Sequence, residues 1–313
     1  LTLANIAAQA SGDWQLVAEL PSPLTLPGVG QLQGSITAEL GLQQGELSRY
    51  QLNSQLQLLQ PQIPGELLQL GINTDLVHIA LTADGQSKPQ LTALPLQIQL
   101  GTQGASALNL SADATLNLTP PLSAQLRNGK LDITQQQLTP APDTQLDKLE
   151  LHSQFNAYWL ADSWQLDLQT ANATIARLST ADIAAHNISL LLDHSRVNCD
   201  KAITDIQLSA APKISLSQLT HTMLKPVDWQ WQAKVSGHLS NLKLEGRLSN
   251  SASLGISHQL HYTADNTRFN WQLEDIYLLA GNPLSATLAS WPALLEFNRG
   301  RLTGSGELAL LPQ

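Results

Sequence analysis

The chain has 313 residues, 42% of them hydrophobic but only 13% charged, against ~25% charged in ordinary globular proteins. Lys and Arg number 16 against 25 Asp and Glu, a formal charge of −9, so no basic surface exists to neutralise phosphates and nucleic acid is excluded as a partner. One cysteine, Cys199, makes neither an internal disulfide nor a zinc site, and no run reaches the ~18 apolar residues of a membrane-spanning helix.

Leucine fills 62 positions and glutamine 32, and the two are interleaved. Trp14 to Leu20 and Ile36 to Leu42 alternate apolar and polar residues, the mark of strands with one apolar and one polar face. Tyr50-Gln51-Leu52-Asn53-Ser54-Gln55-Leu56-Gln57-Leu58 does the same, as do Leu96 to Leu100 and the eleven residues Leu108 to Leu118. The pattern continues in Leu149 to Ala157, Trp164 to Leu168, Ile188 to Leu192, Ile206 to Ala210, Trp229 to Val235, Leu242 to Leu248 and Phe269 to Leu273. Roughly eighteen such runs, about 15 residues apart, predict an all-β protein.

Turn chemistry separates the runs. Pro21, Pro23 and Pro27, Gln60 to Gly65, Thr119-Pro120-Pro121 and Thr139 to Asp143 each read as a break. Asn128-Gly129 reads as a hairpin turn, since both positions tolerate positive φ. A hinge is expected near 139–145, within one architecture that spans 1–313. Two segments carry helical spacing. Asn282-Pro283 begins a helix over 283–296 on Leu284, Leu288, Trp291 and Leu295, with Pro292 inside it. Leu216, Leu219 and Met223, ended by Pro226, form a second.

No catalytic or metal-binding constellation stands out, and no cofactor is expected. His258 and His261 point to opposite faces of a strand, whereas a metal pair needs both imidazoles on one face. The glycines from Gly28 to Gly34 follow Pro27 and enter a strand, whereas a phosphate cradle needs a helix N-terminus. The chain is not expected to be an enzyme.

The apolar face is the feature left. Folded into two sheets, the strands would cover one another in a sandwich or barrel with a closed core. Kept as one elongated, curled antiparallel sheet, roughly 85 Å long at ~4.8 Å per strand, they would leave a groove lined by small aliphatic residues and open to acyl chains. Both arrangements satisfy the pattern; the second is a repeating β-groove with one or two short helices. Its inward residues would be Trp14, Leu16, Leu52, Leu56, Leu58, Leu108, Leu110, Leu116, Leu118, Leu166, Leu168, Leu190, Trp231, Leu244, Trp271 and Leu273.

The tail Trp291-Pro292-Ala293-Leu294-Leu295-Glu296-Phe297-Asn298-Arg299-Gly300-Arg301-Leu302-Thr303-Gly304-Ser305-Gly306-Glu307-Leu308, with the alternating strands before it, resembles the C-terminal part of the YdbH family, which is AsmA-like and related to TamB. The resemblance implies a β-groove in the periplasm of a Gram-negative bacterium that carries phospholipids between inner and outer membranes. It also implies a longer protein, anchored in the inner membrane by an N-terminal helix absent here. A small outer-membrane lipoprotein (YnbE-like) would join by strand addition near the C-terminal end. Some labels in that family specify dicarboxylate transport. The residues do not support it, because a dianion needs fixed positive charge and Lys and Arg are rare in the alternating runs.

Overall fold

A computed structural model describes residues 12–43, 46–63, 65–69, 71–86, 93–117, 121–161, 163–200, 206–252, 254–263, 268–278, 283–291 and 300–309. Among them the fold is all-β and antiparallel, with two helices of five residues each. No helix of the described residues is long and apolar enough to cross a membrane. The chain divides into two compact units, Leu1–Thr134 with Phe155–Ala161, and Gln135–Gln154 with Asp162–Gln313.

In the first unit, six strands pair in chain order: β1 (Gly12–Leu26), β2 (Gly30–Gln43), β3 (Glu46–Leu59), β4 (Leu76–Gln86), β5 (Ala93–Gln103) and β6 (Ser106–Asn117). The short helix α1 (Gly65–Gln69) fills the β3–β4 connection. Register follows from the leucine pattern, because a slip by one residue would turn every apolar side chain to the other face. Direct partners share a face, so the pairings Leu20–Gly34–Leu56–Ile79–Leu100–Leu110 form one apolar row across all six strands. On the opposite face Gln33 donates to Gln57 at 2.8 Å.

β7 (Ser123–Ala141) and β8 (Thr144–Leu160) each run through both units. The segment 139–145 is the end of β7, a turn at Pro142 and Asp143, and the start of β8. In the second unit β9 (Ser163–Ser179) pairs with β10 (Ile183–Asp200). The other side of β10 is shared by β11 (Ile206–Ala210) and β12 (Pro212–His221), and both pair with β13 (Leu224–His238). β14 (Asn241–Asn250), β15 (Leu254–Thr263), β16 (Arg268–Leu278) and β17 (Gly300–Ala309) follow in order. Here the row Ala173–Leu190–Ile214–Trp231–Leu248–Ile256–Ile276–Leu302 crosses every strand from β9 to β17 except the short β11.

Several local expectations are corrected. Asn128 and Gly129 do not turn a hairpin; they lie inside β7, with Asn128 at φ 53. Pro21 and Pro23 do not end a strand either, since β1 continues past them with a register shift between Leu20 and Leu24. Prolines are tolerated in a strand where a ladder bond is already missing. Leu216 and Leu219 are in β12, not a helix: Gln218 sits at φ 50 where the register against β13 shifts, so the extra residue turns a spacing of two into three. The helix expected over 283–296 is only α2 (Pro283–Thr287), and residues 292–299 lie outside the described residues. It stops because the next residues leave it to pair: Leu288 bridges to Leu224, and Ala289 donates its amide to the Met223 carbonyl.

Phase is kept through such steps. In β9 the exposed pairs Gln169–Thr170 and Ala176–Arg177 interrupt the alternation. In β10 the exposed pair His186–Asn187, and the half-buried Asp193 with the exposed His194, do so, with Asn187 and His194 at φ 49 and 47. The two strands step at the same levels, so their register is constant and Leu168 still opposes Ser195 while Ala173 opposes Leu190. Two of the residues with positive φ have their amides taken by a side chain on another strand: Asn156 Oδ1 accepts from Asn128, and Asp228 Oδ1 from Gln218.

Candidate functional site

By register, those of the expected lining residues that are described lie on the apolar beats of their strands in the two units. In the first unit Trp14 and Leu16 oppose Leu40 and Ala38, and are 55% and 65% exposed. Leu52, Leu56 and Leu58 on β3 lie between Ala38, Gly34 and Leu32 of β2 and Ala83, Ile79 and Val77 of β4. Leu110 and Leu116 on β6 oppose Leu100 and Leu94. Leu108 places its amide on the Thr102 hydroxyl at 2.8 Å. Leu118 lies outside the described residues.

In the second unit Leu166 and Leu168 oppose Val197 and Ser195. Leu190 stands between Ala173 and Ile214, Trp231 between Ile214 and Leu248, and Leu244 between Val235 and Leu260. Trp271 and Leu273 are placed by register alone, opposite Leu260 and His258.

These faces are half-covered. Among the residues whose burial is described, Leu254 is the only buried leucine; the other buried apolar residues there are mostly alanines, with Tyr50, Phe155, Cys199 and Trp229. A closed aliphatic core buries its leucines fully. Here the buried positions are small, and the long side chains beside them keep part of their surface open.

Some features of the faces were not anticipated from the sequence. Ser54 and Ser153 are buried with hydroxyls that have no partner among the described residues. Tyr50 lies against its cross-strand partner Gly85. Burial, and after it the Asp84 carboxylate, holds the Tyr50 phenol above its ordinary pKa. His258 faces inward over Gly246, where a Cβ would meet the imidazole at 2.8 Å. Trp231 Nε1 donates to His258 Nε2 at 2.8 Å, and the two rings stack with centroids 6.2 Å apart. Burial pushes this histidine below its ordinary pKa. The only forewarning of these residues was that each falls on an apolar beat of its strand.

α2 lies at one end of the second face. Its Thr287 is almost fully buried and accepts a hydrogen bond from Asn250 Nδ2 at 2.8 Å. Asn250 opposes Trp229 and continues the inward series Leu242, Leu244, Gly246, Leu248. Its Oδ1 in turn accepts from the amides of Ala252 and Leu254. No group of three metal-ligating side chains converges among the described residues. His258 and His261 face opposite ways, and His261 is bonded to Asn241 at 2.7 Å.

The fold and these faces define an all-β protein built from antiparallel ladders, each with one aliphatic and one polar side. Comparisons with family models, curated proteins and solved structures find no match to this chain.

Proposed function

We propose that the chain carries phospholipid acyl chains along its apolar faces, in the periplasm of a Gram-negative bacterium, between the inner and outer membranes. The observation that carries this reading is the state of the leucines: they stand in rows that cross each ladder, yet of those whose burial is described only Leu254 is buried. Such a face offers aliphatic contact to a slim ligand without a tight, shaped pocket. The envelope location, and a small outer-membrane lipoprotein that adds a strand near the C-terminal end, rest on the resemblance of the tail to the YdbH family.

The energetics suit a conduit. Each methylene removed from water contributes about 0.8 kcal/mol, so two chains of roughly sixteen carbons gain ~25 kcal/mol. A bilayer gives nearly the same, so exchange between membrane and protein is close to neutral. The faces therefore hold lipid without setting its direction, and any drive comes from elsewhere. Native mass spectrometry of the purified chain, followed by organic extraction and lipid analysis, tests the proposal. Co-purified phospholipid supports it. A clean apo mass that takes up no added lipid overturns it in favour of a closed, structural β protein.

A further inference from the structure

At one end of the first unit the alternation fails. Tyr158, Trp159 and Leu160 close β8, and all three are exposed, at 36%, 45% and 50%. Consecutive strand residues point to opposite faces, so this strand end is apolar on both sides, unlike the ladders. Leu122 adds to it: it is 53% exposed, and its carbonyl accepts the amide of Ala161 at 3.3 Å. No charged residue occurs in Phe155–Ala161 or in 121–126.

A protein with only 14 aromatic residues in 313 has placed two of them side by side in water. Tyr and Trp combine an apolar ring with a polar edge, the combination favoured where hydrocarbon meets headgroups. Charge decides which surface fits. The chain carries a net charge of −9 and this tip has no cation, so an anionic surface gains nothing from it, whereas a neutral headgroup layer admits it on apolar area alone. We infer that the Tyr158–Trp159–Leu160 tip, with Leu122, docks onto the interface of a lipid bilayer. This extends the acyl-carrier reading, giving the protein a point of contact with the bilayer, and rests on it for purpose but not for its test.

The test is flotation of the purified chain with vesicles of phosphatidylcholine alone and of phosphatidylcholine with a quarter phosphatidylglycerol. Expected is co-flotation with both, unchanged between 0.1 and 0.5 M salt, because apolar insertion is not screened. The triple variant Tyr158→Ser, Trp159→Ser, Leu160→Ser is expected to float at least tenfold less. Its far-UV circular dichroism, and its uptake of phospholipid from detergent, stay as in the parent. The inference is overturned if the parent stays at the bottom, if salt releases it, or if the folded triple variant floats equally well. Flotation by a parent that never holds phospholipid would leave the docking intact and sink the carrier reading instead.

Discussion

The Phe155 ring lies against the bare α-carbon of Gly129, so close that a Cβ on the glycine would come within 2.6 Å of it. A strand glycine normally weakens its sheet, and an aromatic ring laid over it restores the lost contact. Both residues are buried. Gly129→Ala is therefore expected to cost about 1–3 kcal/mol, the range for forcing an atom into a packed site. Phe155→Leu in the same chain should recover part of it. Chemical denaturation of the two single variants and the double variant gives the coupling; additive effects would show that the ring does not need the glycine.

Leu110→Asp and Leu168→Asp place a charge in each apolar face, at positions that are only half-buried. If the faces hold acyl chains, each variant keeps its far-UV spectrum and loses at least tenfold of the co-purified lipid. A closed core would respond differently, because an unpaired buried charge costs several kcal/mol and unfolds the chain. Circular dichroism read beside native mass spectrometry separates the two.

His258 makes the second unit sensitive to acid. Its folded pKa lies below the unfolded value near 6.5 because burial disfavours the charged ring. The sign follows from linkage: below 6.5 the unfolded chain binds more protons than the folded one, so the stability tied to this residue is present above that pH and lost as pH falls. Protonation also turns Nε2 into a donor facing the Trp231 N–H. Melting temperatures at pH 7.5 and 5.0 should fall less in His258→Phe than in the parent. Equal falls would assign the acid sensitivity to other groups.

Asn250 holds α2 and the start of β15 together. Asn250→Ala leaves the Thr287 hydroxyl buried and strips the Ala252 and Leu254 amides of their acceptor. Unmade bonds of this kind cost about 1–3 kcal/mol each when buried. The expected result is a lower denaturation midpoint, together with faster amide exchange at Ala252, Leu254 and Leu288. Exchange confined to residues 252 and 254 would show that α2 is held by its main-chain pairing alone.

Period two made the all-β fold and its inward faces legible in advance, because a slip by one residue exposes every leucine at once. The interruptions were harder to read. Leu216 and Leu219 imitate helical spacing only because Gln218 is an added residue, and Asn128-Gly129 imitates a turn because a residue with positive φ inside a strand needs the same side chains as a turn does. The shortness of α2 depends on Leu288 finding Leu224, a contact 64 positions away that no local pattern carries. His258 and Ser54 occupy apolar beats with polar side chains, and only the register shows that they face inward.

The matched steps of β9 and β10 constrain how this chain tolerates insertion and deletion. Removing Thr170 alone would restore plain alternation in β9, keeping Ala173 and Ile175 inward, but would leave the step of β10 unmatched and force a bulge there, as Gln218 makes in β12. Removing His194 as well would bring the two strands back into agreement. Length changes in this hairpin are thus neutral only in pairs, so related chains are expected to differ at these levels by two residues or by none.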